Sequence, residues 1–142
     1  MINSRFSQFS LVLHEDAIAD LEALWENDED AAAEISAFLQ EVKASQDMLD
    51  RLTCNKYVRY EEPEFSVEVW ATQQNRKRNL WRLRLFALTG SSAKQRIVYA
   101  FHPLELRYYI LGIVHREFDY DLKHPVSNRI SKAYDAIDIP SY

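Results

Sequence analysis

Four arginines stand in or beside apolar, alternating runs. Arg82 and Arg84 lie within LWRLRLFAL (80–88), Arg96 within QRIVYAFH (95–102), and Arg116 ends LRYYILGIVHR (106–116). Alternation with period two marks strands, so Arg82, Arg84 and Phe86 share one face and Trp81, Leu83, Leu85 and Ala87 the other. A guanidinium in the middle of an apolar strand is costly unless it reaches water, a carboxylate or a phosphate. Short connections between the runs favour antiparallel hairpins, which let all four arginines converge on one concave patch. Forked guanidinium groups grip phosphate oxygens two at a time, and bases stack on rings or guanidinium planes. The loop NRKRN (75–79) adds Arg76, Lys77 and Arg78 as candidate RNA contacts at the rim. The plainer alternative is a solvated sheet face with local ion pairs to Glu68 or Glu117.

His102, His115 and His124 fall in the same half and could exchange protons near neutral pH. For any one of them, a turn or surface position is the commoner role. No spacing resembles a zinc site: HExxH and CxxC are both absent. Walker A, GxGxxG and GxSxG are absent too, which argues against nucleotide-dependent enzymes and α/β-hydrolases.

Other elements must position the arginines. FSQFSLVL (6–13) reads as a first short strand. Ile18, Leu21, Leu24 and Trp25 then recur at helical spacing. Asn27 or Asp28 can cap a second helix running to about residue 52, with an apolar stripe of Ile35, Phe38, Leu39, Val42, Leu49 and Leu52. The pair reads as a helical hairpin. Phe65, Val67 and Val69 alternate as an extra strand, a loop containing Gly90, Ser91 and Ser92 separates the arginine strands, and Val126, Ile130, Ala133, Tyr134 and Ile137 define a C-terminal helix. The expected class is α+β: an N-terminal helical hairpin packed on a small twisted, mainly antiparallel sheet with a C-terminal helix, as one domain over 1–142.

Length and composition agree. The chain has 142 residues, 47% hydrophobic and 27% charged, enough to bury a core without a disulfide. One cysteine, Cys54, excludes an internal disulfide and fits a reducing, cytoplasmic compartment. The N-terminus is too polar for a secretory signal, and no apolar run approaches the ~18 residues a membrane span needs. The net charge of −5 is unevenly spread. Residues 1–75 hold 5 Lys and Arg against 16 Asp and Glu, whereas residues 76–142 hold 12 against 6. The halves therefore differ in sign, −11 and +6, which suggests an anion-binding region in the second.

LWRLRLF, then RIVYAFHP, then YYILGIVHREFDYD, then a helix with RISKAYDAI resembles the RelE/ParE superfamily of bacterial type II toxins. The motif match covers roughly residues 80–137. The resemblance implies a fold like that of small microbial ribonucleases and growth inhibition as the output. RelE-like members are endoribonucleases that cut messenger RNA in the ribosome (mRNA interferases); ParE-like members poison DNA gyrase without catalysis. Both are neutralised by a cognate antitoxin. Carried over by position, Arg82 and Arg84 stand where RelE-like enzymes carry basic strand residues, and Arg96 and Arg116 match arginines that hold the scissile phosphate. Tyr120 lies near a residue that stacks on a base or moves a proton, and His115, where a lysine is common, is the first choice for proton transfer. No metal or cofactor is implied. The chain departs from the pattern in being longer and acidic overall, and arginine at 82 and 84 is a poor general base because it stays protonated. A non-toxic RNA- or protein-binding relative is the third possibility.

Overall fold

The computed structural model describes residues 8–53, 65–85, 94–118 and 120–140. The first half opens with strand β1 (Ser10–Leu13) and helix α1 (Glu15–Asn27). His14 starts α1: its Nδ1 accepts from the Asp16 N–H at 3.0 Å, while Glu15 and Asp16 complement the positive helix end. Asp28 then caps α2 (Glu29–Lys43) by accepting from the Ala31 N–H at 3.2 Å, so the hairpin breaks where the sequence placed it. The second helix does not run unbroken to 52. Ser45 is extended and its hydroxyl accepts from the Met48 N–H, which starts a separate short helix α3 (Gln46–Arg51). The whole expected stripe, Ile35 through Leu52, is nevertheless buried.

The remaining elements are β2 (Phe65–Val69), the short helix α4 (Ala71–Gln74), β3 (Leu80–Leu85), β4 (Gln95–His102), β5 (Arg107–His115), a 3-10 turn (Arg116–Phe118) and α5 (Pro125–Ile137). The expected loop at Gly90, Ser91 and Ser92, and residues 6–7 and 86–88 of the expected strands, lie outside the described residues. The five strands form one sheet in the order β1-β5-β4-β3-β2. The sheet is mixed: β2 to β5 pair antiparallel, and β1 pairs parallel to β5. No tight turn links β1 to β5, so no hairpin constrains their relative direction.

Helices flank both faces of the sheet. Leu11, Val67, Leu83, Ile97, Tyr99, Tyr108 and Ile110 pack with the α1–α3 side chains. On the other face Leu80, Val98, Ala100, Leu111 and Val114 pack with Trp70, Phe118 and the α5 residues Ile130, Ala133 and Tyr134. A bulge joins the two layers. Val98 pairs with Gly112 but Tyr99 with Ile110, so Leu111 is the extra residue of β5. A Cβ on Gly112 would stand 3.0 Å from Nη2 of Arg129 and 3.3 Å from Cδ1 of Ile130, so any larger residue would make these side chains give by a few tenths of an ångström. Arg129 forks the Asp20 carboxylate, Nη1 at 2.9 Å and Nη2 at 2.7 Å, and the same carboxylate accepts from the Ile113 N–H at 3.0 Å. This contact ties α1, β5 and α5 together. No helix among the described residues is long and apolar enough to cross a membrane.

Candidate functional site

On the α5 face, alternation carries polar side chains past the end of the apolar layer. Ser66 and Glu68 of β2 pair with Arg84 and Arg82 of β3, and Arg82 pairs with Val98 of β4. Arg96 precedes Val98 by two residues and so shares its face. Arg116 enters from the 3-10 turn two residues after Val114, and Tyr120 from the loop that follows. These side chains, with Leu83, line a cavity of about 280 Å³. Arg82, Arg84, Arg96, Arg116 and Tyr120 thus line one cavity, strand parity accounting for the first three. Arg116 belongs to the turn rather than to the strand it was expected to end.

Tyr120 forms the floor. Its backbone has φ 54°, in the left-handed region that a bulky residue adopts only when its surroundings enforce it. The enforcing contacts are aromatic: Trp70 at 5.3 Å and Phe118 at 5.2 Å between ring centroids. Cζ of Arg82 lies 4.5 Å above the ring centroid, a cation–π contact. Arg82 Nη2 also donates to Oε1 of Glu68 at 3.3 Å. The Tyr120 hydroxyl and Arg82 Nε are both buried, and the hydroxyl lies against the Arg82 guanidinium. Burial pushes the Tyr120 hydroxyl up to about 12, against the opposing pull of the Arg82 and Arg96 charges. Burial also lowers Arg96 below the ordinary arginine value, and the neighbouring charges of Arg84, Arg116 and Arg82 lower it further, while Tyr120 acts the other way. Clustered cations beside buried polar atoms make a place for an anion.

His115 is not brought to the cavity. It pairs with Gln95 in phase with Ile113, and its Nδ1 accepts from the Glu117 N–H at 3.1 Å. His102 and His124 are likewise caps: their Nδ1 atoms accept from the N–H groups of Glu105 at 3.2 Å and Val126 at 3.1 Å.

The basic loop divides. Arg76 and Lys77 are exposed and line no part of the cavity. The Arg78 guanidinium is engaged by neighbouring side chains of the fold. It grips Asp135 of α5 with Nε and Nη2 at 3.0 Å each, and its Nη1 donates to Gln73 at 3.2 Å. The hydrogen bond to Asp135 raises its pKa above the ordinary value. The loop closes the end of the β2–β3 hairpin where Val69 meets Trp81, whereas Arg84 and Ser66 lie toward the other end.

In the sequence Glu68 stands out only as an ion-pair partner, and no motif marks Ser66, Trp70 or Phe118 as site residues. Alternation within SVEVW would have placed Ser66 and Glu68 on one face, but only the β2–β3 register puts that face opposite the arginines. Among the described residues, no group of three or more His, Cys, Asp and Glu is placed to hold a metal ion. Comparison with family models, with curated proteins and with solved structures finds no match to the chain.

Proposed function

We propose that the chain is a type II toxin of the RelE/ParE kind and an endoribonuclease that cuts messenger RNA on the ribosome. The observation that carries this reading is the convergence of Arg82, Arg84, Arg96 and Arg116 on one cavity that also holds a carboxylate and a tyrosine. Cleavage needs three services: removal of the 2′-hydroxyl proton, stabilisation of the added charge on phosphorus, and protonation of the leaving 5′-oxygen. The four guanidinium groups supply the second. Glu68, the carboxylate of the cavity, takes the 2′ proton in place of His115. The O2′–P bond forms as the P–O5′ bond breaks, and the departing oxygen takes its proton from water, because the Tyr120 hydroxyl is buried beneath Arg82. The products are a 2′,3′-cyclic phosphate and a 5′-hydroxyl end. A gyrase poison needs no such set of groups, so the carboxylate among the arginines favours the enzyme.

The test is single-turnover cleavage of messenger RNA on isolated ribosomes, with binding measured in parallel. Arg116→Lys keeps the charge and loses the planar fork. Cleavage should fall about 100-fold while binding falls modestly, the pattern of a donor whose grip strengthens in the transition state. Equal loss of both would remove that role from Arg116. No cleavage by the unaltered protein, together with inhibition of gyrase supercoiling, would overturn the ribonuclease reading in favour of the gyrase one.

A further inference from the structure

Four guanidinium groups alone would hold best whichever anion carries the most charge. A phosphate monoester carries two charges at pH 8, because its second pKa lies near ~6, and a phosphodiester carries one. An unopposed arginine cluster would therefore fill with terminal phosphates and free nucleotides rather than with the internal linkages of an RNA chain. The cavity is not unopposed. Glu68 stands directly across from Arg82 in the β2–β3 register, with its Oε1 3.3 Å from Nη2. This contact is single-pronged, and the two side chains are 32% and 36% exposed, conditions under which an ion pair adds little to folding. Its effect falls instead on whatever enters the cavity.

We infer that Glu68 reduces the preference of the arginine cavity for the doubly charged terminal phosphate and so shifts its selectivity toward the singly charged internal phosphodiester. The inference rests on the anion-cavity reading above. A carboxylate fixed in the wall repels each charge of the ligand once, so a dianion meets about twice the repulsion of a monoanion at the same distance. The attraction of the arginines also grows with ligand charge, and Glu68 subtracts from that growth. The other wall residues, Ser66, Leu83 and Tyr120, are neutral and do not discriminate by charge.

The experiment is calorimetric titration of the full chain at pH 8 with two probes. One is thymidine 5′-monophosphate, a dianion. The other is the dithymidine dinucleotide, which has one phosphodiester and no 2′-hydroxyl, so it binds uncut. Glu68→Gln should tighten the monophosphate about tenfold and the dinucleotide about threefold, the second factor being close to the square root of the first. Ser66→Glu adds a carboxylate on the same strand face and should weaken the monophosphate about tenfold and the dinucleotide about threefold. That variant keeps the inference testable if Glu68→Gln fails to fold. Equal changes for both probes, or none for either, would overturn the selectivity role while leaving the anion cavity standing. Binding of neither probe to any of the three proteins would overturn the cavity reading itself.

Discussion

Tyr120 is held in place by what surrounds it rather than by its own backbone preference. It combines a left-handed φ, a buried hydroxyl and a place under Arg82 with ring contacts to Trp70 and Phe118. Burial keeps the hydroxyl protonated to about 12 in the folded chain, against about 10 when unfolded. Between these values the unfolded state has released its proton and the folded state has not. Stability from this group is therefore complete below pH ~10 and declines as pH rises toward ~12, by about 3 kcal/mol in all. Urea unfolding across that window should show the decline, and Tyr120→Phe should flatten it relative to the parent. An unchanged slope in Tyr120→Phe would mean that the hydroxyl is not buried as described. The two strand arginines should also separate. Arg84 is exposed, so Arg84→Ala should unfold within ~0.5 kcal/mol of the parent while cleavage is lost. Arg82 covers the Tyr120 ring, so Arg82→Ala should lose activity and also about 1 kcal/mol of stability. Matching thermal shifts for the two variants would contradict the stacked position of Arg82.

At the scale of elements, strands were legible where period two ran unbroken. QRIVYAFH is β4 with the expected limits, and the register that pairs Arg82 with Val98 follows from the same alternation. The Asp28 cap was legible because a short acidic side chain followed by Glu29 and Asp30 has few other uses. Three features were not legible. The Ser45 break falls inside a continuous apolar stripe, which both helices satisfy. The direction of β1 depends on a partner some hundred residues away. The role of Arg129 depends on the bulge at Leu111 and on the missing Cβ of Gly112, neither of which has a local signal. That arginine nevertheless joins three elements, so its partner is a sharp test. Asp20→Ala removes a two-pronged contact and leaves the Ile113 N–H without its acceptor. The Asp20 side chain is 17% exposed, which places the pair between surface and buried cases. Chemical denaturation should show a loss of about 2–3 kcal/mol. A loss below ~0.5 kcal/mol would demote the clamp to an incidental surface pair.

Across the whole molecule, charge and architecture divide along the same line. The acidic first half supplies the helical hairpin on one face of the sheet, and the basic second half supplies three strands and the arginine cavity on the other. A protein that repels RNA over one side and attracts it over the other orients on approach, since the field of the whole chain acts before any contact forms. On the toxin reading proposed above, the same division constrains an antitoxin. A segment that silences the site has to place carboxylates at Arg96 and Arg116, and it gains most by arriving disordered and ordering over the cavity. Binding of such a segment and of RNA should be mutually exclusive. The affinity of either should fall as salt rises, with a slope near −0.7 per phosphate contacted in the case of single-stranded RNA. Arg96→Ala should weaken both partners, whereas charge removal at Arg76 and Lys77, outside the cavity, should lower RNA affinity by a smaller and sequence-independent amount. Competition binding at several salt concentrations reads all of this at once. A ternary complex of toxin, antitoxin and RNA, with the antitoxin seated only on the acidic helices, would show that inhibition works without covering the arginines.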